Sequence, residues 1–264
     1  MSLNRRYQIN ARINKVENPG RDIFKIRFLA PDISRCAFPG QFVFIRVQQS
    51  GYHPLLRRAF AVAGTNRKTG EFDIIFNVVG VATSLLSSFN KGVCIDIIGP
   101  LGNSFSFPLK NQKALLVAGG CGIAPLFFLA GKLREKKIDF SVIYGSATAS
   151  QLILTRELRK ICPDIAFVTE DGTLGQRGVV TSYINHDNCD MIYVCGPEAM
   201  LKQTSGILKD FKGTIQVSLE PNMACGIGVC RGCAVRIRKN KGKQGLSCGC
   251  TDGPIYNCRD LIWT

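Results

Sequence analysis

The chain has 264 residues, 45% hydrophobic and 20% charged, which excludes a disordered chain and leaves room for two domains plus a small appendage. A formal net charge of +15 suits an anionic cofactor, a nucleic acid or an acidic protein partner. No helix-turn-helix, zinc-finger or RNA-binding signature accompanies that charge, so nucleic acid is not an expected partner.

Near the start, Met1 to Arg6 carries positive charge with no apolar segment after it, so no secretion signal is expected. Apolar and polar residues then alternate in short runs: Tyr7-Ile9-Ala11-Ile13, Ile23-Phe24-Ile26-Phe28, and Phe42 to Val47. Pro19-Gly20 and Pro39-Gly40 are read as the turns between them, and further strands are predicted at 58–63, 72–79 and 93–98. The region to about 108 is thus predicted to be an antiparallel β-barrel with one short helix over Ala82 to Phe89. Two features in it suit an anion. Arg57-Arg58 leads into Ala59-Phe60-Ala61-Val62, where an arginine can fork onto a phosphate and the backbone can run beside a flat ring. Gly80, Ala82, Thr83 and Ser84 open the short helix, whose first N–H groups face outward. Taken singly, an arginine pair and a glycine turn are ordinary.

From 113 the rhythm changes. Ala114 to Ala118 is a buried strand, followed by Gly119-Gly120-Cys121-Gly122-Ile123-Ala124-Pro125 and a helix to about 134. Ala114 to Gly131 is 18 uncharged residues, near the lower limit of a membrane span. Its glycines and Pro125 fit a strand, a turn and a helix start instead, so a soluble chain without a membrane is expected. Strands at 140–144, 165–169, 191–195 and 215–217 alternate with helices near 149–160, 178–185 and 197–211, the last strand closing the set. That alternation specifies a parallel sheet with right-handed crossovers and ligands at the carboxyl ends of the strands. Gly120 and Gly122 would present bare N–H groups and a helix dipole to a pyrophosphate, with Pro125 in place of the last glycine of the usual dinucleotide turn. Cys195-Gly196-Pro197-Glu198-Ala199-Met200 ends a later strand and puts Cys195 at the edge where a nicotinamide ring is expected; taken alone, Cys195 reads as a buried apolar cysteine. Gly145-Ser146-Ala147-Thr148 offers no arginine for a 2′-phosphate, which favours NADH over NADPH.

The most specific pattern is the last. Cys225, Cys230 and Cys233 stand in C-x4-C-x2-C spacing, the ligand spacing of plant-type [2Fe-2S] clusters, which need one distant fourth cysteine. Cys248, Cys250 and Cys258 are the candidates for that fourth ligand. A structural zinc site would show two C-x2-C-like pairs, and the Cys225–Cys230 gap is too long for the first. Cys94, Cys121 and Cys195 are scattered through apolar runs, as expected in a reducing, cytoplasmic compartment. The basic run Arg236 to Lys243 is read as an exposed hairpin or loop, solvated first and a partner contact second.

In this order, Arg-x-x-Ala, Gly-x-Ala-Thr, Gly-Gly-x-Gly-x-x-Pro, Cys-Gly-Pro-Glu-x-Met and the cysteine cluster resemble the ferredoxin–NADP reductase superfamily over essentially the whole chain. Within it, Met223 to Cys233 and Cys250-Thr251-Asp252-Gly253-Pro254 resemble the electron-transfer subunits of class 1B dihydroorotate dehydrogenases, as do Gly99 to Asn103 and Glu170 to Gly175. The resemblance implies an α+β multidomain chain: an FAD-binding antiparallel β-barrel at 1–108, an NAD-binding α/β domain with a parallel sheet at 109–218, and a small [2Fe-2S] domain at 219–264. It implies Arg58 on the flavin pyrophosphate, Ala59, Phe60, Ala61 and Val62 beside the isoalloxazine, and Gly80, Ala82 and Thr83 at the FAD phosphate turn. It further implies Gly120, Gly122 and Pro125 at the nicotinamide dinucleotide turn, Cys195 as the catalytic position with Gly196 beside it, and Cys225, Cys230, Cys233 and Cys250 on the cluster. Ala59 and Ala61 depart from the family's Arg-Pro-x-Ser, removing a hydroxyl near the flavin, and Ala82 stands where glycine is frequent. The activity so implied is an electron relay between NAD(H) and an FMN-containing catalytic subunit that oxidises dihydroorotate, two copies of each, in pyrimidine biosynthesis. The alternatives are a reductase subunit of a sulfide dehydrogenase, transhydrogenase or hydrogenase-type complex, and a zinc-stabilised binding protein without redox activity.

Overall fold

The computed structural model describes residues 5–48, 51–239 and 243–263. Its first part contains β1 (Tyr7–Gly20), β2 (Ile23–Leu29), α1 (Pro31–Cys36), β3 (Phe42–Ile45), β4 (Arg58–Asn66), β5 (Glu71–Asn77), α2 (Val81–Ser87) and β6 (Cys94–Leu101). The strands close into an antiparallel barrel in the order β1-β2-β5-β4-β3-β6. Strand alternation sends Ile13, Ile26, Phe28, Ile74 and Ile97 inward as one apolar core. Each such side chain, once buried, stabilises by about 1.5–3 kcal/mol. The turn expected at Pro19-Gly20 falls two residues later. β1 runs through Gly20 and reverses at Arg21-Asp22, where Asp22 takes a φ of 56°, a conformation a short polar side chain tolerates. Helix α1 had no counterpart in the sequence reading: it starts at Pro31, buries Ile33 and ends within six residues, too short to show a helical period.

The second part contains β7 (Ala114–Gly119), α3 (Ile123–Glu135), β8 (Phe140–Ser146), α4 (Thr155–Ile161), β9 (Ile165–Thr169), β10 (Gln176–Arg177), β11 (Met191–Cys195), α5 (Glu198–Ile207) and β12 (Thr214–Ser218). They form a parallel sheet in the order β10-β9-β8-β7-β11-β12. Both faces are apolar, as a covered parallel sheet requires: Leu116, Tyr144 and Tyr193 pack with α3 on one side, Leu115, Val117 and Ile192 on the other. Two expected helices are shorter than the sequence implied. The segment 149–160 splits into a 3-10 turn at Ala149–Gln151 and α4, with Leu154 left-handed between them, and 178–185 keeps only a 3-10 turn at Val180–Tyr183. The uncharged stretch from Ala114 is β7, a 3-10 turn and most of α3; no helix among the described residues is long and apolar enough to cross a membrane.

The remaining chain makes a hairpin, β13 (Ala234–Arg238) with β14 (Gln244–Cys248), and then β15 (Ile255–Asn257). The basic run begins on this hairpin, and residues 240–242 of it lie outside the described residues. The sheet does not close at β12. β15 pairs antiparallel with it, Gln216 opposite Asn257 and Ser218 opposite Ile255, as a seventh strand. The barrel is pinned to the same segment. Asn103 Nδ2 donates to Asp252 O at 2.7 Å and Ile255 O at 2.8 Å, and its Oδ1 accepts the Ile255 N–H at 2.9 Å. A Cβ on Gly102 would lie 2.6 Å from Pro254, so Gly-Asn after β6 is a docking surface for Asp-Gly-Pro.

Candidate functional site

A groove of about 580 Å³ lies between barrel and sheet, bordered by Arg58, Ala59, Phe60 and Ala61 of β4, Pro125 of α3 and the stretch from Ser218 to Met223. The two arginines before it differ. The Arg57 guanidinium pairs with the Asp96 carboxylate and donates to Asp96 O at 3.0 Å. Among the described residues, Arg58 meets only the main-chain carbonyls of Leu56, at 2.7 Å, and Arg57, at 3.3 Å. Its charge is therefore left for an anion. Ala59 and Ala61 turn outward and offer only methyl groups, while Phe60 and Val62 are buried in the barrel core. An unneutralised guanidinium at the start of a strand with a flat outer face fits a flavin dinucleotide. The turn at Gly80 reaches the groove's lining only through Val79; Gly80, Ala82 and Thr83 are not part of it. There the N–H groups of Val79 and Gly80 donate to Thr83 Oγ1 at 2.9 and 3.1 Å, its hydroxyl donates to Gly80 O, and Ala82 is buried in the core.

A second cavity, of about 880 Å³, follows the carboxyl ends of β7 and β11. Gly120, Gly122, Gly196 and Pro197 border it on one side, Arg236, Ile262 and Trp263 on the other. Gly122 is required by close approach, since a Cβ there would lie 2.3 Å from Cys195 O. Gly119 is similarly clamped, its Cβ position 2.6 Å from Met200 Sδ and 3.0 Å from Pro197, which accounts for the spacing of Gly-Pro-Glu-Ala-Met. Gly120, by contrast, has open space where a Cβ would stand. That opening beside a helix start, with a buried Trp263 indole N–H that has no partner among the described residues, fits a nicotinamide dinucleotide. Cys195 borders neither cavity. It is fully buried, and burial, with the Glu220 charge second, pushes its thiol pKa far up.

Asn77, Cys121 and Glu220 border both cavities and were not singled out from the sequence as site residues. Cys121 Sγ donates to Asn77 Oδ1 at 3.1 Å, and burial pushes its thiol up to about 12. Glu220 reaches solvent through the cavities yet is recessed enough that burial raises its carboxyl pKa. Cys121 had one signal, its place inside the glycine turn; Asn77 and Glu220 had none.

Beyond Met223 the loop carrying Cys225, Cys230 and Cys233 folds onto β3. A Cβ on Gly226, at a φ of +70°, would lie 2.7 Å from the Phe44 ring. Main-chain N–H groups point at the sulfurs: Cys230 to Cys225 Sγ, Gly232 to Cys230 Sγ and Cys250 to Cys233 Sγ, all at 3.4 Å, and Gly228 to Cys250 Sγ at 3.2 Å. Such donors favour thiolate, and those of Cys230 and Ile227 lower Cys225 to about 6. Cys233 and Cys250 are buried, Cys225 is half-buried and Cys230 exposed. Cys248 also reaches this place, 3.6 Å from Cys233 Sγ and 3.7 Å from Cys250 Sγ, whereas Cys258 belongs to the core of the sheet. Thiols with N–H groups aimed at them suit a [2Fe-2S] cluster. Cys233 and Cys250 share an apolar cluster with Phe42, Phe44, Leu101 and Met223, and Phe42 and Met223 also border the flavin groove. The cluster site and the groove thus have a common wall.

Comparison with known proteins gives the same three parts. Residues 10–106 match the oxidoreductase FAD-binding domain, 116–206 the oxidoreductase NAD-binding domain, and 220–262 the iron-sulfur cluster binding domain of dihydroorotate dehydrogenase B. The chain is 33% identical over 258 residues to the dihydroorotate dehydrogenase B (NAD(+)) electron transfer subunit of Desulforamulus reducens, covering 96% of this chain and 98% of that one. A Bacillus cereus protein of the same name is 32% identical over 248 residues, covering 92% and 93%. Among solved structures, a chain of the NADH-dependent reduced ferredoxin-NADP oxidoreductase, from work on flavin-based electron bifurcation, superposes with a TM-score of 0.85. It is 32% identical, over 97% of this chain and 90% of that one. The ferredoxin reductase of carbazole 1,9a-dioxygenase, at 20% identity and a TM-score of 0.67, shares the fold. Barrel, sheet and cysteine loop are thus those of an FAD-, NAD- and iron–sulfur-binding oxidoreductase, and the chain belongs to the family of dihydroorotate dehydrogenase B electron transfer subunits.

Proposed function

We propose that this chain relays electrons between NAD(H) and a separate FMN-containing subunit that oxidises dihydroorotate, two copies of each in a cytoplasmic complex serving pyrimidine biosynthesis. The observation that carries this reading is contiguity. The flavin groove shares Asn77, Cys121 and Glu220 with the nicotinamide cavity, and Phe42 and Met223 with the cysteine cluster. FAD supplies the exchange between hydride transfer and single-electron transfer, and the cluster supplies single-electron steps. Within the divisions 1–108, 109–218 and 219–264, Arg58 holds the flavin pyrophosphate, Ala59 to Val62 form the strand beside its ring, and Gly80, Ala82 and Thr83 shape the neighbouring turn. Gly120 and Gly122 seat the nicotinamide dinucleotide, while Pro125 of the same turn borders the flavin groove instead; Cys195 and Gly196 fix the floor at the nicotinamide's reactive end, and Cys225, Cys230, Cys233 and Cys250 ligate the cluster. NADH is the favoured nucleotide.

The test is an absorption spectrum of anaerobically purified protein, with flavin, iron, sulfide and zinc assayed on one sample. One FAD with two irons and two sulfides per chain, bleached by NADH, is the expected result. Zinc without flavin, persisting after reconstitution with iron, sulfide and FAD, would overturn it. The likeness to the ferredoxin-NADP oxidoreductase chain favours a second reading, a transhydrogenase-type subunit. Copurification separates the two: a partner that reduces FMN with dihydroorotate supports the first, a second pyridine-nucleotide reductase the other.

A further inference from the structure

A third thiol, that of Cys248, joins those of Cys233 and Cys250 at the cluster site. Two thiolates on one tetrahedral metal, with metal–sulfur bonds of about 2.3 Å, lie about 3.8 Å apart. Cys248 Sγ meets that spacing twice, at 3.6 Å to Cys233 and 3.7 Å to Cys250, and the three sulfurs lie within 4.8 Å of one another. Each iron of a [2Fe-2S] cluster takes two thiolates and two sulfides, so one of these three thiols is spare. Cys233 and Cys250 are buried, and their sulfurs accept N–H groups from Cys250 and Gly228. Cys248 is half-buried, which leaves it as the spare.

Its position is fixed from both sides. Cys248 pairs with Ala234 across the hairpin, and its N–H donates to Asp252 Oδ2 at 2.8 Å. Its carbonyl accepts the N–H groups of Thr251 at 3.0 Å and Asp252 at 2.8 Å. The same turn therefore holds Cys248 and Cys250 on one side of Cys233.

We propose that Cys248 is a stand-in ligand: it takes the place of Cys250 on the iron when the Cys250 sulfur lets go of it, or when a substitution removes that sulfur. In the exchange Cys248 gives up its thiol proton and forms the bond to iron that Cys250 releases, Cys250 taking up a proton in turn; no electron moves. This rests on the ligand assignment above.

The test compares full-length wild type, Cys248→Ala, Cys250→Ala and the double variant after anaerobic reconstitution with iron, sulfide and FAD. Iron and sulfide are measured per bound FAD, and electron paramagnetic resonance is recorded on the reduced proteins. Wild type and Cys248→Ala should hold about two irons with one common spectrum, Cys250→Ala about two irons with shifted g values, and the double variant almost none. Bound FAD that NADH still bleaches reports an intact fold. Should Cys250→Ala fail that control, Cys250→Val against Cys248→Ala/Cys250→Val asks the same question with the space filled by a side chain that cannot bind iron. A flavin-loaded Cys250→Ala without iron overturns the proposal. So does loss of the cluster in Cys248→Ala, or its retention in Cys248→Ala/Cys250→Val. Two irons in the wild type leave the relay reading standing under any of those results; none in the wild type removes both.

Discussion

Adjacent arginines at the entrance to β4 have opposite roles. Arg57 is consumed by Asp96, while Arg58, among the described residues, has only main-chain carbonyls to hold. Arg58→Ala should weaken FAD binding about tenfold to a hundredfold, the loss of charge-assisted bonds worth about 1.5–3 kcal/mol. Arg57→Ala should instead lower thermal stability, because it leaves the partly buried Asp96 carboxylate without its cation and with the Gln8 amide as its side-chain donor, and leave the FAD affinity closer to wild type. Flavin titration with a melting curve distinguishes them. Gly122→Ala drives a methyl into Cys195 O; overpacking of this kind costs about 1–3 kcal/mol and should raise the KM for NADH before it affects flavin content. Both glycine and arginines were visible as residue types in a pattern. Which arginine is free was not, because Asp96 lies on another strand, 39 residues from Arg57. Cys195 was visible as a strand-end cysteine, and only packing reveals that its sulfur is sealed beneath the floor.

Among the elements, the docking of the cluster lobe depends on a few polar groups. Asn103 makes three hydrogen bonds to the segment Asp252 to Ile255, each worth about 1 kcal/mol. Asn103→Ala should destabilise by about 2–3 kcal/mol, and limited proteolysis should cut the lobe before the barrel. Asp252 holds the same turn. Its carboxyl pKa is lowered by the Cys248 N–H first and by the Ser247 hydroxyl among the others. A lowered carboxyl adds stability that is complete above its ordinary value and lost as pH falls through the lowered one. The gap between wild type and Asp252→Asn, about 1 kcal/mol at neutral pH, should therefore shrink towards zero below about pH 4 in denaturant titrations. The long strands were legible because alternation repeats along them. β15 and α1 were not, since three and six residues carry no period and owe their state to what they pack on.

For the whole molecule, the order of motifs predicted the architecture, and contiguity gives the relay its logic. Cys225→Ala should leave NADH bleaching of the flavin at its wild-type rate while delivery to the partner subunit falls to background, a split that stopped-flow spectra of the assembled complex would expose. What the order of motifs could not convey is that the parts are interlaced. After leaving the sheet at β12, the chain builds the cluster loop and the hairpin, then returns as β15 on the same sheet, with Ile262 and Trp263 on a wall of the nicotinamide cavity. In topological terms the cluster lobe is an excursion spliced into the nucleotide domain, closed by its last strand, rather than a bead on its end. Cutting the chain after Ser218 would bare β12 as an unpaired edge and remove one side of the nucleotide's berth, so the flavin reductase and the iron–sulfur carrier are not separable cassettes but one inherited unit.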